Sequence, residues 1–151
     1  MYKHILVPLD GSPLAEEALP HVEALARGFG SRITLMSCVE PYVISLPMVP
    51  TPVPAYDIDM DIDALTKDRK EYLDTVREKL VEQGLSVDIE AHRGRASDEI
   101  LRFADERSVD LIVMTTHGRS GIGRFIYGSV AERVLHGAKT PVLLIRSSPA
   151  E

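Results

Sequence analysis

Two short stretches of the chain carry residue types from which a phosphate cradle is built. One is "LDGS" at 9–12; the other is "THGRSGIGRFIYGS" at 116–129, with Gly118, Gly121, Gly123 and Gly128 interleaved with Arg119 and Arg124. Glycine lets backbone N–H groups close in on an anion and form a concave nest, and a helix beginning at Ser129, with Val130 in its first turn, adds its positive dipole end. Asp10, directly after the first apolar run, is placed to meet a ribose hydroxyl or a phosphate-bound Mg²⁺. The same residues also have a plain structural reading: a glycine-rich turn joins strand to helix, and Asp10 serves the turn into the first helix.

Several stronger signatures are missing. No G-x-x-x-x-G-K-[ST] is present and no G-x-G-x-x-G follows the first strand, so neither the Walker loop nor the dinucleotide fingerprint applies. No G-x-S-x-G elbow fixes a nucleophile beside a base. The five histidines (His4, His21, His92, His117, His136) form no H-x-x-x-H pair, and the single cysteine, Cys38, makes no thiolate zinc site. His117 beside this loop is expected to be a loop or packing residue rather than a catalyst.

The elements that position these stretches follow from hydrophobic periodicity. Apolar runs at 5–9, 33–39, 87–91, 111–115 and 142–145 have strand length and β-branched composition. Ala15, Ala18, Leu19, Val22, Leu25, Ala26 and Phe29 line one face of a helix that starts at an N-cap Ser12, with Pro13 in its first turn and a kink at Pro20. Leu65, Tyr72, Leu73, Val76 and Leu80 define a second helix from about Asp59 to Gln83, ended by Gly84. A third spans about 97–107 through Ile100, Leu101 and Ala104. A fourth runs from Ser129 to Gly137 and carries Val130, Val134 and Leu135. The order βαβαβαβαβ implies a parallel sheet with helices on both faces, since right-handed crossovers permit little else. The prolines at 41, 47, 50, 52 and 54 exclude regular structure from 40–58, which is expected to be a lid or simply a mobile loop.

The third strand alternates Val87, Ile89 and Ala91 with Asp88 and Glu90, as an edge strand does. The last, Val142, Leu143, Leu144 and Ile145, is an uncharged edge that predicts a homodimer through that strand. At 151 residues the chain has the length of one domain, and its 44% hydrophobic and 26% charged content is that of an ordinary globular protein. A net charge of −6 with dispersed acids argues against nucleic acid or an anionic membrane as partner. The lone cysteine and the short apolar N-terminus suggest a cytoplasmic address.

"ILVPLDGS", "DLIVMTTHGRSG", "GSVAERVL" and "PVLLIR", in that order, resemble the universal stress protein family along essentially the whole chain. The resemblance implies an open five-stranded parallel α/β sheet of order 3-2-1-4-5, of the adenine nucleotide alpha-hydrolase-like kind, and frequent dimerisation through the last strand. In one subgroup, marked by G-x₂-G-x₉-G-[ST], it implies binding of ATP or another adenine nucleotide with Mg²⁺. Gly118, Gly128 and Ser129 match that pattern, while Thr115 stands at its first glycine, where a β-branched residue keeps the strand extended one step further. Position by position, the resemblance implies that Asp10 contacts the nucleoside and that Val39 offers its backbone to adenine. It further implies that Pro8, Leu9 and Met114 line the base and sugar pocket, and that Gly118, Arg119, Gly128 and Ser129 surround the phosphates. Three readings of function stand: a nucleotide-dependent regulatory switch acting on an unidentified protein partner, a slow or self-phosphorylating ATPase, and a nucleotide-free dimeric interaction protein.

Overall fold

The computed structural model of the chain describes residues 1–41, 55–117 and 128–147. Five strands, β1 (His4–Pro8), β2 (Arg32–Val39), β3 (Ser86–Arg93), β4 (Leu111–Thr115) and β5 (Val142–Ile145), form one parallel sheet of order β3-β2-β1-β4-β5. Side chains alternate between its faces. Ile5, Val7, Ile33, Leu35, Leu111 and Val113 pack on one face with Ala15 of α1 (Pro13–Glu16), Val22 of α2 (Leu19–Phe29) and Leu73, Val76 and Leu80 of α3 (Ala55–Glu82). Leu6, Met36, Ile112 and Met114 pack on the other with Ile100, Phe103 and Ala104 of α4 (Ala96–Glu106) and Ala131 and Val134 of α5 (Ser129–Gly137). Both edges fall where the sequence puts them, with the charge-bearing β3 at one end and β5 at the other.

Three expectations are corrected. The first helix is two helices, not one kinked helix: α1 ends at Glu16 and Pro20 lies in the first turn of α2. A proline there sacrifices no intrahelical hydrogen bond, so the chain restarts a helix instead of bending one. The Pro-rich stretch does not extend over 40–58, because α3 already begins at Ala55. Its prolines all precede that residue, and Pro54 immediately before a helix is where proline is tolerated. Residues 42–54 lie outside the described residues.

Leu65 does not face the core. It is exposed, whereas Ile62, Leu73, Val76 and Leu80 are buried, and Arg69 occupies the intervening position of the same stripe. Gly84 ends α3 as expected: its φ of 84° is in the left-handed region, and Leu85 N–H returns to the Leu80 carbonyl at 3.2 Å.

Candidate functional site

Where β1 and β4 leave the sheet, the sheet parts. β1 pairs with β4 at Ile5↔Leu111 and Leu6↔Ile112 and no further, while β1 follows β2 to Pro8↔Met36 and β4 follows β5 to Thr115↔Ile145. Their carboxyl ends flank the point where the strand order reverses, the crevice in which open α/β sheets take ligands.

Asp10 sits at the β1 side of this crevice. Its Oδ1 accepts from Ser12 N–H at 2.9 Å and from the Ser12 hydroxyl, and Ser12 Oγ in turn accepts from Ala15 N–H at 3.2 Å to cap α1. Carboxylate, hydroxyl and helix start thus form one unit in which the turn fixes the plane of the carboxylate. Arg69 of α3 donates from Nη1 to the Asp10 carbonyl, so a guanidinium is fastened beside the same turn. Sequence reasoning missed Arg69. The available signal was a charged residue seven positions after Ile62 and four before Leu73, on the stripe that otherwise faces the core.

On the β4 side, Thr115 is buried and its hydroxyl donates to the His117 carbonyl at 2.8 Å, which secures the turn out of the strand. Thr116 N–H donates to Ile145 O at 2.9 Å, and Gly128 N–H donates to Thr116 O at 2.7 Å. The start of α5 is thereby pinned to the end of β4. Gly128 has no side chain to cap the helix, and the first intrahelical bond runs from Glu132 N–H to Gly128 O at 3.0 Å. The N–H groups of exposed Ser129, half-buried Val130 and Ala131 lead that helix, at the end of the macrodipole that favours anions. His117 is half-buried, with Nδ1 3.1 Å from Thr116 Oγ1, a contact between neighbours in the chain.

The remaining residues are distributed unevenly. Pro8 and Met114 share the face of α4 and α5, whereas Leu9, 3% exposed, belongs to the opposite core, and its N–H extends the β1–β2 ladder to Met36 O at 2.8 Å. Val39 is buried, and its carbonyl accepts from Gly94 N–H at 3.0 Å, on the β3 side. Gly118, Arg119, Gly121, Gly123 and Arg124 lie outside the described residues. Among the described residues no helix is long and apolar enough to cross a membrane.

Comparison with known proteins agrees with this fold. Universal stress protein MJ0531 of Methanocaldococcus jannaschii is 33% identical over 152 residues, covering 100% of this chain and 86% of that protein. The solved structure of hypothetical protein MJ0577 superposes with a TM-score of 0.87 at 27% identity, over 99% of both chains. A universal stress protein in complex with cAMP (TM-score 0.64, 22% identity, 97% and 98% coverage) and one from Archaeoglobus fulgidus in complex with dAMP (0.63, 24%, 95% and 97%) share the fold. The model of the universal stress protein family matches residues 1–146, and the chain belongs to that family.

Proposed function

We propose that this chain binds an adenine nucleotide, as ATP with Mg²⁺, in the β1–β4 crevice and acts as a homodimeric regulatory switch. The observation that carries the reading is the parting of β1 from β4 with Asp10 on one side and the start of α5 on the other. In this arrangement the N–H groups of Ser129 and Val130, with Gly118, Arg119 and Gly121 nearby in sequence, take the phosphates. Asp10 takes a ribose hydroxyl or the phosphate-bound Mg²⁺, and Pro8 and Met114 border the base from one face of the sheet. Relatives of the same fold that hold cAMP and dAMP support the adenine class. β5 is the edge through which two copies pair: Val142–Ile145 carries no charge and Leu143 is 36% exposed.

One observation favours the nucleotide-free interaction protein. The Gly128 N–H and the Val39 carbonyl, on two residues that the resemblance places at the ligand, already bond to Thr116 and Gly94. Calorimetric titration of the nucleotide-stripped protein with ATP, ADP and AMP in the presence of Mg²⁺ decides between them. Saturation at one site per chain is expected; no heat from any of the three, in a folded protein, refutes nucleotide binding.

A further inference from the structure

At the opposite end of the sheet, beneath the amino ends of β1, β2 and β3, lies a cavity of ≈ 300 Å³ whose lining includes His4, Arg32, Asp88, Phe103, Arg107 and Arg77. The topology creates it. The helix α3 packs on β2 and β3 from one face, while on the other face α4 packs on β2 and meets β3 at His92 through Glu99 and Phe103; Asp88 and Glu90, nearer the amino end of β3, line the cavity beside Phe103.

Three guanidiniums converge there in a chain whose net charge is −6. Among the described residues Arg32 and Arg107 make no ion pair; Arg77 is paired with Asp74 at 2.8 Å. Arg107 lies over the Phe103 ring, 5.8 Å from its centroid, and Arg32 Nη2 donates to His4 Nδ1 at 3.0 Å. His4 Nδ1 also lies 3.3 Å from the Arg107 carbonyl, and Nε2 lies 2.8 Å from Thr34 Oγ1. Burial, then Arg32, hold the pKa of His4 below 6.5, so the imidazole is neutral at pH 7 and adds no charge. Of the two carboxylates, Glu90 already engages His92 at 3.0 Å, and Asp88 has no ion pair among the described residues. The lining thus sets three guanidiniums against two carboxylates, Asp88 and Glu90, an excess of positive charge in a partly walled concavity. Low-dielectric walls strengthen such a field.

We propose that this cavity is a second ligand site, separate from the crevice, for a small organic oxyanion held between Arg32 and Arg107, with Asp88 accepting from a hydroxyl on the same molecule. A phosphate and a carboxylate meet the two guanidiniums through the same charge-assisted hydrogen bonds, so the shared chemistry is an oxyanion next to a donor. This assignment is independent of nucleotide binding.

The test is an amide chemical-shift titration of the full chain, without nucleotide, using glycerol 3-phosphate, malate and glycerol as probes. One of the two anions saturates a site, with shifts centred on His4, Arg32, Asp88 and Arg107, and glycerol gives none; which anion binds more tightly identifies phosphate or carboxylate as the preferred head group. Arg107→Gln, at an exposed helix end where folding is not at stake, weakens binding about tenfold or more, and Asp88→Asn tightens the anion by removing repulsion while loosening the preference for a hydroxyl. No shift at these residues with either anion, or shifts that Arg107→Gln leaves unchanged, overturns the proposal.

Discussion

Replacing Asp10 separates its structural duty from its role toward a ligand. In the fold its Oδ1 takes both the N–H and the hydroxyl of Ser12, a residue 9% exposed, and Ser12 caps α1. Hydrogen bonds to a charged acceptor contribute about 1.5–3 kcal/mol each, and the half-buried setting of Asp10 lets water restore part of what is lost. Asp10→Ala therefore costs about 2–3 kcal/mol, which for a domain of this length lowers Tm by roughly 5–10 °C. Asp10→Asn keeps an acceptor in the same place and costs about 1 kcal/mol, yet it removes the negative charge that a Mg²⁺ or a ribose hydroxyl would use. Urea denaturation read by circular dichroism, paired with Mg-ATP titration of each variant, gives both numbers. The expected pattern is a destabilised alanine variant, together with an asparagine variant of near-native stability whose ATP affinity falls about tenfold. An alanine variant as stable as the parent refutes the account of the turn, and an asparagine variant that binds ATP normally refutes the role of the carboxylate.

Two of the leucines of α3 differ in the same assay: Leu73→Ala, at 0% exposure, costs about 2–5 kcal/mol, and Leu65→Ala, at 42%, stays within about 0.5 kcal/mol. Burial, then Arg32, hold His4 below its ordinary pKa of 6.5, against the weaker pull of the Arg107 carbonyl, Asp110 and Asp88. The unfolded chain then binds the proton first, so stability declines as pH falls from about 6.5. His4→Gln flattens that part of the pH–stability curve, and an unchanged curve contradicts the neutral imidazole. Burial alone would raise Glu99, but Arg102 and His92 outweigh it and hold its carboxyl below 4.5, which adds a second loss of stability at lower pH. Burial, then Glu99 and Glu40, push the Cys38 thiol up to about 12, so at pH 8 its reaction with a disulfide reagent is about a thousandfold slower than in the urea-unfolded chain. Equal rates would show that the thiol is open to solvent and ionised.

The sheet is legible because its signals are local. Runs such as Leu111–Thr115 announce buried strands, and Asp88 and Glu90 mark β3 as an edge. Pro20 misleads because a proline rule needs the position within a helix, and only the break after Glu16 shows that α2 starts anew. Ile62 and Arg69 escape because an apolar stripe of α3 begun from Leu65 starts one helical face away. The bonds at the candidate site are not legible: nothing in the spacing of Thr116 and Gly128 tells that one's carbonyl takes the other's N–H. The cavity at the amino ends is not legible at all, since His4, Arg32, Asp88 and Arg107 come from four separate elements and share no motif.

The central position of β1 also bears on when this chain is able to fold. β1 is made first, yet one of its neighbours, β4, begins at Leu111, and the Asp110 carboxylate that receives the N–H groups of Lys3 and His4 comes 107 and 106 residues later. During synthesis the strand waits with one flank unpaired until most of the chain has left the ribosome. Contacts of such sequence separation form slowly, and an apolar edge left open meanwhile is a place for a chaperone or a neighbouring nascent chain to attach.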